Sequence, residues 1–80
     1  MTKPDWSDER ANVWVELKYV RKKTDIKSIS EDIAADITKY GDNGRRTLFV
    51  VYDPQHLISD DQQFAQPVVA RPDMMLSIIR

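Results

Sequence analysis

Glu16 and Lys18 lie two positions apart in the run VWVELKYV, residues 13–20. In an extended strand the side chains repeat every second residue, so this pair projects from one face. A carboxylate oxygen binds a hard cation such as Mg²⁺. A neighbouring ammonium can orient an attacking water or stabilise the charge developing on a phosphate. One carboxylate does not hold a divalent ion, so a second must come from a nearby strand. Asp5, in Pro4-Asp5, precedes Glu16 by eleven positions, and a hairpin turning near 8–12 would set it beside the Glu16 strand. The plainer alternative is a solvated strand face, on which Glu16 and Lys18 give solubility and a cross-strand ion pair.

The elements that must position these residues are legible in the patterning. A short extended piece at 4–7 and a turn at 8–12 lead into the strand 13–20, rich in β-branched and aromatic types. Val13, Val15, Leu17 and Tyr19 form one face and are expected to pack on a helix. Trp14, Glu16, Lys18 and Val20 then take the other face. A helix is predicted over 28–40, opened by a Ser28–Glu31 capping box. Its apolar stripe is Ile26, Ile29, Ile33, Ile37 and Tyr40, with Glu31, Asp32, Asp36 and Lys39 off it. Gly41 and Asp42-Asn43-Gly44 supply the helix stop and turn. RTLFVVY, 46–52, reads as a strand covered on both faces, ended by Asp53-Pro54. Residues 55–70 are a short helix or irregular connection, and MMLSII, 74–79, is a last strand. Strand, helix and strand in this order imply a crossover between parallel strands. The fold class is α/β: one domain over 1–80, with a small mixed sheet and one main crossover helix.

Pro4-Asp5, ten residues, then Glu16-Leu17-Lys18 resembles the PD-(D/E)XK motif of restriction-endonuclease-like nucleases. VWVELKYV, the basic turn RKK, the helix SISEDIAADITKY and the strand TLFVVYDP resemble the core of bacterial members of that superfamily. The likeness covers roughly 4–54 and, more loosely, the last strand. It implies that Asp5 and Glu16 are metal ligands, with the Leu17 carbonyl as a further ligand. Lys18 would be the catalytic lysine, the cofactor Mg²⁺ or Mn²⁺, and the reaction hydrolysis of DNA phosphodiester bonds. Such proteins often act as dimers. Members usually carry a helix and a further strand segment before the aspartate, whereas four residues precede Asp5 here, so the chain reads as a short or N-terminally truncated member. The alternative function is a catalytically inactive remnant that serves as a binding or oligomerisation module; a third is an α/β domain with no catalytic ancestry.

Arg21, Lys22, Lys23 and Lys27 form the densest basic patch. Phosphate-backbone contact and a solvated turn account for it equally well. Glu31 is a candidate third metal ligand, although its capping role explains it better. Trp14 and the tyrosines Tyr40 and Tyr52 are expected in the core, and Arg45, Arg46 and His56 at the surface. The chain has no cysteine and a single histidine, which removes disulfides, zinc–thiolate sites and a cysteine nucleophile. Net charge is −1, so no basic coat envelops the protein. No apolar run approaches the ~20 residues of a membrane span, and MTKPDW is no signal peptide, which makes a cytoplasmic location the simplest. The strand 46–52 needs cover on both faces, one helix covers one, and 55–70 is too polar for the other. A homodimer is therefore expected.

Overall fold

The computed structural model describes residues 6–8, 10, 12–40 and 46–80. Its elements are β1 (Trp6–Asp8), β2 (Val13–Tyr19), α1 (Lys23–Tyr40), β3 (Arg46–Tyr52), α2 (Asp61–Val69) and β4 (Met74–Ile79). They form a mixed sheet in the order β1-β2-β3-β4. β1 runs antiparallel to β2, with Trp6 opposite Val15 and Asp8 opposite Val13. β2 and β3 are parallel, Glu16 opposite Phe49 and Lys18 opposite Val51. β3 and β4 are also parallel, Phe49 opposite Leu76. The α/β class, the hairpin and the parallel crossover are thus as expected. β3 and β4 have the anticipated bounds, and 55–70 contains a short helix. The turn segment 41–45 lies outside the described residues.

Both helices lie on one side of the sheet. Ile29 and Ile33 of α1, Phe64 and Val68 of α2, and Phe49, Val51 and Met74 of the sheet share one core with Val20 and Ile58. Parity then decides the rest. On β3 the inward positions are Thr47, Phe49 and Val51. Register places Trp14, Glu16 and Lys18 on that same side. The expected faces of β2 are therefore reversed. Val13, Val15, Leu17 and Tyr19 line the side without helices, and Leu17 and Tyr19 are exposed there. The reason is that Phe49 and Val51 have zero exposure, and β2 must present whichever face stands beside them. Tyr52 is likewise exposed on the open side, where its ring meets Tyr19 edge-on at 5.0 Å. Trp14 packs against the core as expected.

α1 begins at Lys23 rather than at 28. The Asp25 carboxylate accepts the backbone N–H groups of Arg21 (2.9 Å) and Lys22 (3.1 Å). This is the reach-back half of a capping box, and it displaces the Ser28–Glu31 box: both those residues are exposed within the helix. α2 is capped by Asp60, whose side chain accepts the Gln63 N–H at 3.0 Å.

The turn after β3 is built on Asp53, whose residue is fully buried. Its carboxylate accepts the N–H groups of Leu57 (2.8 Å) and Ile58 (2.9 Å). Arg80 Nε stands 3.6 Å away, and the same guanidinium binds Asp61 and the Ile58 carbonyl. The turn is tight enough to hold His56 at a φ of 54°. Burial pushes the Asp53 carboxyl up, but the Ile58 and Leu57 N–H donors and the Arg80 charge outweigh it and hold the group below its usual 3.8. A lowered folded-state value gives stability that is present above the unfolded value and lost as pH falls through the folded one. We expect Asp53→Ala to cost about 3 kcal/mol near neutrality. Urea melts from pH 2 to 7 should show the gap to the unsubstituted chain closing below the ordinary carboxylate range. A gap that does not change with pH would assign the loss to packing alone.

Candidate active site

Glu16 and Lys18 stand together on the helix-covered side of β2, opposite the core residues Phe49 and Val51. Glu16 is only 6% exposed. Lys18 is partly buried, and its Nζ lies 3.7 Å from Asp36 Oδ2 on α1. The expectation that this pair faces away from the helix onto an open cleft is overturned. Its physical cause is the reversal of strand faces described above. The juxtaposition of Glu16 and Lys18 on one face holds.

Asp36 is expected off the apolar stripe of α1. It is instead 9% exposed and follows Ile29 and Ile33 at the i, i+4, i+7 spacing of the inward face. That spacing was the available signal. Burial pushes the Asp36 carboxyl above its usual 3.8; the Lys18 and Lys39 ammonium groups pull it down, and Asp32 adds to the rise. The net direction is upward, so Lys18 compensates the buried charge only in part.

Asp5 lies outside the described residues. The antiparallel pairing that is described ends at Trp6 opposite Val15; Asp5 precedes Trp6 in the sequence and Glu16 follows Val15. The Leu17 side chain points to the open side and is 59% exposed. Glu31 is exposed within α1. Among the described residues no three acidic or histidine side chains cluster as a metal site.

Arg21, Lys22, Lys23 and Lys27 are exposed around the start of α1. The Arg21 guanidinium covers the Tyr19 ring at 4.9 Å from its centroid, a cation–π contact. Arg46 is exposed and pairs with Val13 at the other end of β2, as expected from a parallel pair.

The model of the DpnII-MboI restriction endonuclease family matches residues 3–79. The chain belongs to that family. The match takes in Asp5, Glu16 and Lys18 together with all the described strands and helices, and the family is one of DNA-cleaving enzymes. No curated protein and no solved structure matches the chain. The small mixed sheet with its crossover helix is compatible with a restriction-endonuclease-like core. Among the described residues, no helix is long and apolar enough to cross a membrane.

The Lys18–Asp36 contact has a stability consequence with a definite sign. A carboxyl whose folded-state value is raised favours the fold below its unfolded value, and that contribution is lost as pH rises through the folded one. Lys18→Met removes the ammonium that offsets this. We expect the variant to match the unsubstituted chain in acid and to fall behind by about 1–3 kcal/mol at neutral pH. Chemical denaturation at pH 3 and pH 7 checks it; equal losses at both would mean the ammonium does not compensate Asp36.

Proposed function

We propose that this chain is a PD-(D/E)XK-type core that hydrolyses DNA phosphodiester bonds with a divalent metal ion. The observation that carries the reading is the pairing of Glu16 with Lys18 on one strand face, largely withdrawn from water, in a chain of a restriction endonuclease family. Asp5, Glu16 and the Leu17 carbonyl are the proposed ligands. All are hard oxygen donors, the chemistry that suits Mg²⁺ or Mn²⁺. Glu16 alone does not complete a site, and the described residues add no acidic cluster, so the fit depends on Asp5 standing beside it. The described β1–β2 pairing reaches Trp6 and Val15, the sequence neighbours of Asp5 and Glu16, and this supports that arrangement.

A bound divalent ion supplies Lewis-acid polarisation of a phosphoryl oxygen and a more acidic water. The protein's own part is to hold the Glu16 side chain in place against the core beside it, so that little reorganisation accompanies reaction. Lys18 presents a partly exposed ammonium beside it, placed to orient the attacking water or to neutralise charge on the phosphate. Arg21, Lys22, Lys23 and Lys27 follow the same strand and serve as the proposed contacts to the DNA backbone. Asp25 fixes the main chain of this segment through the Arg21 and Lys22 N–H groups, which orients the patch relative to β2.

A second reading is favoured by the open side of the sheet. Trp6, Leu17, Tyr19, Tyr52, Met75 and Ile79 are all exposed there. Together they leave a largely apolar sheet face with no helix over it, the kind of surface that marks contact with another protein surface. This supports a homodimer, as a partner of the nuclease or as an oligomerisation module without activity.

Two measurements separate these readings. Glu16→Ala and Lys18→Ala should each abolish Mg²⁺-dependent nicking of plasmid DNA; full nicking in either variant would remove the catalytic assignment, and none in the unsubstituted chain would favour the inactive module. Sedimentation at micromolar concentration should show a species of twice the chain mass, returned to monomer by Leu17→Asp. A single monomer-sized species in the unsubstituted chain would end the dimer proposal.

A further inference from the structure

Lys18 is the residue on which the proposed chemistry turns, and the ion-pair partner of its ammonium stands on another element, at Asp36 of α1. Lysine is rich in rotamer entropy, and an unrestrained ammonium would sweep far from Glu16. Asp36 limits that sweep. It sits on the inward face of α1, in register with Ile29 and Ile33, which are anchored in the core. Its own carboxylate is 13% exposed and stands 3.7 Å from Lys18 Nζ, while the Lys18 side chain keeps 18% exposure. An ammonium carries three donors, more than one carboxylate oxygen at 3.7 Å engages, so Lys18 can hold Asp36 and still address another oxygen.

We propose that Asp36 is a positioning residue, holding the Lys18 ammonium on the covered side of the sheet beside Glu16 so that it meets the scissile phosphate or its attacking water already placed. The proposal rests on the nuclease reading of Lys18, and it adds a residue from the crossover helix to a motif otherwise made of Asp5 and residues of β2. The carboxylate acts through Lys18 and touches neither substrate nor metal. Two neighbours sharpen the assignment. Asp32 and Lys39 lie on the same helix within electrostatic reach of Asp36, but both are exposed, so Asp32 offers no fixed alternative partner for Lys18 and Lys39 none for Asp36. The side-chain length is also specific: a carboxylate one methylene further out changes the distance, and an amide keeps the shape while removing the charge.

The test compares Asp36→Asn and Asp36→Glu in the whole chain, with folding of each checked by circular dichroism. Heteronuclear NMR of lysine side chains reads positioning directly and without metal or DNA. In the unsubstituted chain the two Lys18 ε-methylene protons should be inequivalent and the side chain ordered. Asp36→Asn should bring both signals to free-lysine behaviour, and Asp36→Glu should retain part of the order. In Mg²⁺-dependent nicking, Asp36→Asn should lower kcat by roughly 10–100-fold with KM for DNA unchanged, as expected when a reacting group is misplaced, and Asp36→Glu should recover part of the loss. Unchanged Lys18 signals in Asp36→Asn overturn the proposal. Released Lys18 with undiminished kcat also overturns it, since the placement then serves no reaction. If the unsubstituted chain does not nick DNA, the nuclease reading fails; the NMR comparison still decides whether Asp36 holds Lys18.

Discussion

Phe49 and Val51 have no surface in contact with solvent, and their side of β3 is the side on which the rest of the chain packs. A β-strand cannot rotate single residues between faces: its period of two commits every second side chain at once. Once both helices settle over Phe49 and Val51, the parallel pairing carries that choice to β2. Trp14, Glu16, Lys18 and then Val20 must point inward. The buried position of Glu16 is thus a consequence of core formation on the neighbouring strand rather than of anything in the Glu-Leu-Lys triplet.

The same commitment explains how a polar connection closes the fold. Asp53 follows Val51 by two and so also points inward, with no exposed surface. A buried carboxylate is tolerated because it is the acceptor for two backbone N–H groups and faces the Arg80 guanidinium. It bends the chain so that Ile58 and, from α2, Phe64 and Val68 reach the core. The polar residues between 59 and 66 remain on the outer surface of that helix and its approach. Two buried aspartates therefore take opposite electrostatic positions: Asp53 is held below its ordinary value by donors, Asp36 above it by burial.

For the proposed chemistry, this architecture encloses the charged pair instead of displaying it. Glu16 has 6% exposure, and the partly buried Lys18 is ion-paired with Asp36 of α1 rather than left at the surface. The basic segment that follows β2 stays at the surface, and the uncovered side of the sheet is apolar. The molecule thus divides into a charged edge, where the proposed DNA contacts lie, and an apolar face suited to another protein surface.

Much was legible in the residue order alone. The apolar runs at 13–20, 46–52 and 74–79 name their strands because β-branched and aromatic residues dominate them, and Asp53-Pro54 marks an end that proline enforces. The isoleucines of α1 identify its buried stripe by spacing, and the pairing of Glu16 with Lys18 on one face follows from strand periodicity. Which face that is did not follow. Val13, Val15, Leu17 and Tyr19 are the more apolar set on β2, and local hydrophobicity assigns them to the core; the packing of Phe49 and Val51 overrode it through register. The start of α1 at Lys23 was hidden because Asp25 reaches back to main-chain donors from within a basic stretch, and Asp36 because an acidic residue at a stripe position reads as surface until a lysine from another element is brought to meet it. Periodicity is local and can be read along a chain. The choice of buried face, and the pairing of Lys18 with Asp36 across 18 positions, belong to contacts that exist only after the sheet and helix have packed.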